Sequence, residues 1–321
     1  MTAAEQPTPG TRRLGEARTD GERTAEQVIR RVEAWSGREI SYSPVHGGLQ
    51  NENWRVNIAD EDVNYFLKIA SAGSDAYISR SVVHEAAQRA ADLGISAQIV
   101  LLDPVQQIEI IEYLEGYRAC TNGDLKTRDV PLQIADLYRT FHSAPLLSHT
   151  KTIFDMIDEH LEQAAQLEVD LPLDYPIALR EYRAAREALE ASGIDLAPCH
   201  NDPMPGNFLV KEGAPMKLVD FDFASNNDPA CELAVLTTEM FYDDERTTQV
   251  IEHYYGSVTW PLVARIQVYG ALADFKWGLW GVVRHVGAEW DFDYHKYGVW
   301  KLMRARIKMS DPRWGTWLAS L

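Results

Sequence analysis

The order in which apolar periodicities change along the chain limits its fold more than any other property. Residues 39–46 lead into Gly47-Gly48, 53–59 set Trp54, Val56 and Ile58 against Asn53, Arg55 and Asn57, and 63–70 alternate again after Asp60-Glu61-Asp62. Period two over three short runs joined by turn residues is the pattern of an antiparallel meander. In the third run Val63, Tyr65, Leu67 and Ile69 share one face, which puts Lys68 on the other with Phe66 and Ala70. The spacing of Val82, Val83, Ala86, Ala87, Ala90 and Leu93 predicts a helix over 79–93 ending at Gly94, and apolar runs follow at 97–102 and 106–114. A loop-like stretch at 116–129 comes next, and beyond it the apolar period becomes helical at 131–142, 151–167, 176–191, 229–240 and 261–286. Two short apolar runs, 207–210 and 217–223, interrupt that helical half. A sheet with one helix in front and a helical body holding a short hairpin behind suits few architectures.

Three segments are expected. Residues 1–23 have turn and charge composition without periodicity and read as a flexible tail; 24–115 form a first lobe and 116–321 a second. Thr24 is the expected N-cap of a helix through Val28, Val32 and Trp35 that stops at Gly37. A chain of 321 residues can bury a sizeable core without staples. Its three cysteines, Cys120, Cys199 and Cys231, are far apart and form no CxxC pair, so neither a disulfide framework nor a zinc cluster is implied. With 48 acidic against 31 basic residues, the net charge of -17 repels nucleic acid and anionic lipid and attracts cations. The first twenty residues lack the apolar core of a signal peptide, and Asp274, Lys276, Arg284 and His285 break the apolar stretch 269–286. No nucleic-acid partner, no stable membrane association and a cytoplasmic location are therefore expected.

The chemistry concentrates in Cys199-His200-Asn201-Asp202-Pro203-Met204-Pro205-Gly206-Asn207 and in Leu218-Val219-Asp220-Phe221-Asp222. Prolines and a glycine among polar residues mark a loop whose ends are fixed by apolar runs. Asp202, Asn207 and Asp220 offer oxygen donors of the kind that hard Mg²⁺ takes, with phosphate and water completing the shell. Asp202 can accept a proton from an attacking hydroxyl while Asn207 and Asp220 hold metal. Singly, each residue is an ordinary turn former; the combination is what carries information.

His200-Asn201-Asp202, then Asn207, then Val219-Asp220-Phe221-Asp222 resemble the catalytic and metal-binding motifs of the choline/ethanolamine kinase and aminoglycoside phosphotransferase superfamily. The resemblance runs from about Ile40 to Arg306. It implies an α+β, bilobal protein kinase-like fold, with a small antiparallel N-lobe sheet carrying one helix and a mainly helical C-lobe. It further implies an enzyme that uses ATP and Mg²⁺ to phosphorylate an alcohol. The segment from His46 through Gly47, Gly48 and Asn51 to Trp54 is similar to the hairpin that covers the nucleotide phosphates. Lys68 corresponds to the phosphate-contacting lysine and Glu85 to its ion-pair partner. Glu112 and Leu114, either side of Tyr113, resemble the interlobe hinge that reads the adenine edge. His200 is then an orienting loop residue, Asp202 the base, and Asn207, Asp220 and Asp222 the metal ligands; Cys199 is buried filler.

The acceptor is read from the C-terminal part. Trp277 and Trp280 lie three residues apart on one helical face, and Tyr294 and Tyr297 follow. Ring faces attract quaternary ammonium by about 0.5–2 kcal/mol each. This stretch is similar to the choline-binding end of choline kinases, and Glu239 matches an acidic position of their pocket that would supply a countercharge. Phe223, Asp244, Pro203 and Met204 depart from the family pattern. The resemblance thus implies a small cationic alcohol, choline or ethanolamine-like, as substrate. An aminoglycoside or other metabolite phosphotransferase is the alternative, and a nucleotide-binding pseudokinase a further one, against which the presence of Lys68, Asp202, Asn207 and Asp220 argues.

Overall fold

A computed structural model of the chain describes residues 10–45, 51–70, 79–103, 108–287 and 292–321. Gly47 and Gly48 of the expected phosphate-covering turn lie outside the described residues. In chain order the first strands and helices are β1 (Arg12–Arg13), α1 (Asp20–Ile29), β2 (Ile40–Pro44), β3 (Asn51–Ile58), β4 (Asn64–Ala70), α2 (Arg80–Asp92), β5 (Ile99–Asp103), β6 (Ile108–Glu112) and β7 (Arg118–Ala119). There follow α3 (Asn122–Leu125), α4 (Val130–His142), α5 (Ile153–Gln166), α6 (Tyr175–Ser192), β8 (Ala197–Cys199), β9 (Phe208–Val210), β10 (Lys217–Leu218) and β11 (Ser225–Asn227). The chain ends with α7 (Pro229–Glu239), α8 (Asp244–Tyr255), α9 (Trp260–His285), α10 (Tyr294–Met309) and α11 (Trp314–Leu318).

Two compact units result: Met1–Ala119 with Leu209–Asp222, and Cys120–Phe208 with Phe223–Leu321. The sheet of the first unit is antiparallel in the order β1-β2-β3-β4-β6-β5. The alternation in the sequence explains its core: Trp54, Val56, Ile58 and Leu67 turn inward with Tyr42 and Ile110 and pack against Ala25, Val28 and Ile29 of α1 and the neighbouring Trp35. One expectation needs correcting here. The segment up to residue 23 is not all tail, because β1 pairs with β2 and α1 begins at Asp20. Its N-cap is Thr19 instead of Thr24: the Thr19 hydroxyl accepts from Glu22 N–H and the Glu22 carboxylate accepts from Thr19 N–H, a complete capping box. The 209–222 segment also joins the first unit, so that unit does not end where the loop-like stretch begins.

In the second unit α9 runs for 26 residues and is buried on nearly every side between Ala264 and Val283. Its closest neighbour, α10, approaches through two glycines. A Cβ on Gly281 would sit 2.7 Å from Gly298 Cα, and one on Gly298 would sit 2.6 Å from Val282 N, so neither position tolerates a side chain. Among the described residues no helix is long and apolar enough to cross a membrane.

Candidate active site

The candidate residues fall into clusters within each unit. In the first, β4 carries Lys68 to the centre of the sheet, opposite Asn53 on β3 and Glu109 on β6. The Lys68 ammonium donates to Asp220 Oδ1 at 2.7 Å and Asp222 Oδ1 at 3.1 Å, and Arg80 at the start of α2 donates to Asp222 Oδ1 at 3.2 Å. Burial acts against the charge on Lys68, but Asp220, Asp222 and Glu109 outweigh it and hold its pKa above the ordinary lysine value. Glu109 shows the converse: burial pushes its carboxyl up, against the pull of Lys68. Glu85, the expected partner of Lys68, lies 3.0 Å from Arg89 one turn along α2. The Asp220 backbone is left-handed, with φ of 67°, a conformation aspartate tolerates better than most residues.

The two aspartates differ as potential metal ligands. Asp222 has a side chain only 7% exposed and is shared by two cations, whereas the Asp220 side chain is 39% exposed. Asp220 Oδ2 makes no hydrogen bond among the described residues and is the better-placed oxygen donor for a hard cation. At the expected hinge, Glu112 N–H donates to Gln98 O and Tyr113 N–H to Asn64 O, while Leu114 O accepts from Tyr117 N–H. Asn51 opens β3, three residues before Trp54.

In the second unit the antiparallel pair β8–β11 opens into the loop that carries Asp202. Glu232 on α7 fixes this loop from beneath. Fully buried, it accepts from His142 Nε2 at 2.6 Å, from His200 N–H at 3.1 Å and from Asn201 N–H at 2.6 Å. Burial alone would raise its pKa, yet the hydrogen bond and charge of His142, with the remaining donors, keep it below the ordinary value. Asn201 is held left-handed at φ of 65°, its amide donating to Ser225 Oγ at 2.9 Å and Phe223 O at 3.0 Å. His200 is buried, and its Nδ1 accepts from Asp202 N–H at 3.3 Å, which is an orienting contact. Asn207 Nδ2 donates to both the backbone oxygen and Oδ2 of Asp202, each at 3.0 Å, leaving its own Oδ1 as an oxygen donor. The sequence reading missed His142 and Glu232. Only a buried acid within the apolar run of α7 hinted at them.

The aromatic residues also converge. Trp280 packs edge-on against Trp277, Tyr294 and Tyr297, with ring centroids 5.5, 5.6 and 5.9 Å away, and Phe223 meets Trp277 at 5.3 Å. Phe223, a departure from the family pattern, thus supplies a further ring. Trp280 Nε1 is buried without a hydrogen-bond partner among the described residues. Tyr297 has its pKa raised by burial first, then by Glu239 and Asp202, so the Asp202 charge is felt at this cluster. Lys276 also belongs here: its Nζ lies 3.1 Å from the Trp277 ring centroid and 4.8 Å from that of Phe223. Burial pulls its pKa down to about 7, against the attraction of Asp202.

Glu239 corrects an expectation. It is not an open countercharge, because Lys301 of α10 already donates to it; Lys301 also lies 3.6 Å from Asp274, which Arg304 approaches at 3.0 Å. Asp244 sits at the start of α8 and meets Arg313 at 3.0 Å.

The chain is also similar to known proteins. A family model described as phosphotransferase enzyme family matches residues 41–266. Protein LicA of Haemophilus influenzae is 23% identical over 269 residues, 79% of this chain and 76% of the relative. Choline/ethanolamine kinase of Rattus norvegicus is 24% identical over 350 residues, 91% of this chain and 87% of the relative. A solved choline/ethanolamine kinase family protein from Mesorhizobium loti superposes with a TM-score of 0.81 at 26% identity, covering 94% of this chain and 98% of that one. The fold is accordingly protein kinase-like, with an antiparallel N-terminal sheet and a mainly helical remainder.

Proposed function

The chain belongs to the phosphotransferase enzyme family, as an enzyme that phosphorylates the hydroxyl of a small metabolite, and we propose that it uses ATP and Mg²⁺ to phosphorylate a small cationic alcohol of the choline or ethanolamine type. The observation that carries this reading is the packing of five rings, Phe223, Trp277, Trp280, Tyr294 and Tyr297, into one group, of which Tyr297 feels the charge of Asp202. Ring faces are a suitable wall for an alkylammonium head, which cannot be satisfied by hydrogen bonds when fully methylated. The similarity to a solved choline/ethanolamine kinase family protein supports the same class.

In this reading Asp202 aligns the acceptor hydroxyl and takes its proton; Glu232 holds the loop backbone and Asn207 the carboxylate, so that little reorganisation is needed at the reacting geometry. Lys68 serves the nucleotide phosphates, with Glu112 to Leu114 reading the base. Asp220 foremost and then Asp222 in the first unit, and Asn207 in the second, carry oxygen donors of the kind suited to Mg²⁺, which when bound neutralises phosphate charge. Asp202→Ala is expected to lower kcat by about 10²- to 10⁴-fold with ATP binding nearly intact; retention of substantial turnover in an ADP-release assay would refute the assignment of the base. Screening choline, ethanolamine, its methylated forms and aminoglycosides in the same assay tests the acceptor class, and a clear preference for aminoglycosides would replace it.

A further inference from the structure

We infer that the Lys276 side chain is a tethered rival for the ring faces that take the substrate's cationic head, so that binding of a cation is gated by whether Lys276 carries a proton. The inference rests on the cationic-alcohol reading and deepens it. A lysine only 3% exposed is ordinarily paired with a carboxylate, yet among the described residues Lys276 makes neither a hydrogen bond nor an ion pair. Its contacts are faces: Nζ rests on Trp277 at 3.1 Å and reaches toward Phe223 at 4.8 Å, both within the range over which a cation is attracted to a ring. These two faces belong to the group of five rings proposed to take the alkylammonium head. When Lys276 is charged, it both fills the face and repels a second cation in a poorly solvated site. When it is neutral, the repulsion disappears and the amine is free to swing from the ring.

The surrounding groups leave Lys276 as the local titrating member. Asp202, from the loop after β8, attracts its charge; Lys151, ahead of α5, and Glu159, on α5, act with opposite signs and are paired with each other at 2.6 Å. His160 on α5 is pushed by burial to about 3 and is neutral over the working range. The Cys231 thiol on α7 is pushed well above its ordinary value, again by burial, and stays protonated. Lys276 itself is brought down to about 7 by burial. Asp274, raised by burial to about 6, and Lys308, lowered by burial to about 8, belong to the separate ionic group with Arg304, and a substitution at Lys276 leaves them in place.

Tetramethylammonium is the appropriate probe, since its own charge does not change with pH. Its binding to the full chain, followed by tryptophan fluorescence, is expected to tighten about tenfold from pH 6 to pH 8, because the competent neutral-lysine fraction rises from about one in eleven to about ten in eleven. Lys276→Met should bind with the tight value at both pH values, and Lys276→Arg, permanently charged, with the weak value at both. A pH dependence that persists in Lys276→Met, or weaker binding by that variant at pH 8 than by the unaltered chain, would overturn the inference. Failure of all three proteins to bind the probe at any pH would overturn the cationic-alcohol reading and the gating with it. Thermal melts of the variants establish that each is folded, and choline KM measured across the same range should follow the probe while kcat moves less.

Discussion

Two buried lysines, one in each unit, meet opposite fates. Lys68 sits between two aspartates with a glutamate across the strand, and its charge is held; Lys276 sits on two aromatic faces, and its charge is half lost near neutrality. Burial opposes the charged form in both. What differs is the strength of the partner: a carboxylate in a poorly solvated site repays desolvation in a way that ring faces, at about 0.5–2 kcal/mol each, do not. A lysine kept permanently charged suits the permanently anionic phosphates of a nucleotide. One poised between two states suits a site that must sometimes be vacated.

The contrast can be broken by experiment. Lys68→Met should have the largest effect, lowering stability by about 3 kcal/mol in urea denaturation, because it takes from the buried Asp222 one of the cations that offset its charge. The value sits at the low end for a broken buried pair since Asp220 is more than a third exposed. Unchanged stability would mean that the pair is no more than a surface contact. Lys276→Met should act with the opposite sign and raise stability by about 2 kcal/mol, as removal of a buried unpaired charge does. The unfolded chain binds the Lys276 proton up to the ordinary lysine range while the folded chain releases it near 7, so the unaltered protein gains stability as pH rises between them. The advantage of Lys276→Met is therefore expected in full at pH 7 and below and should vanish by about pH 10.5, which thermal melts across that range would show. The smallest effect is that of Phe223→Leu, which removes one ring from Lys276 and should lower its pKa by about half a unit in a lysine Cε NMR titration. No movement would assign the whole ring effect to Trp277.

Much of the first unit was legible in the sequence because strand alternation exposes which face is buried, and Lys68 could be placed by parity alone. The helix start at Asp20 was missed although Thr19-Asp20-Gly21-Glu22 spells a capping box; the surrounding charges and glycines obscured it. Helix α8 went unread because its buried apolar positions are sparse, Val250 and Ile251 with Thr247. The Asp202 loop could be recognised from residue types at close spacing. Its support could not, since Glu232 and His142 lie 30 and more residues away and meet only after folding. The same limit applies to Glu239, whose neutralising Lys301 lies 62 positions along the chain. Lys276 was visible only as an interruption of an apolar stretch; that it is buried on a ring depends on how α9 is turned.

The short segment Leu209–Asp222 has a consequence for how such a chain can be cut and recombined. It is packed with residues that precede Cys120, although almost ninety residues of the other unit separate them. A fragment ending at Ala119 would carry Lys68 but neither Asp220 nor Asp222, the two carboxylates that hold its charge. A single crossover between two homologous genes anywhere from 120 to 219 would likewise draw the lysine from one parent and both aspartates from the other. Exchange of the first unit between relatives therefore takes two junctions beyond Ala119, one on each side of that fourteen-residue stretch, and a modular graft made with one splice would inherit an incompatible ion pair wherever the parents differ.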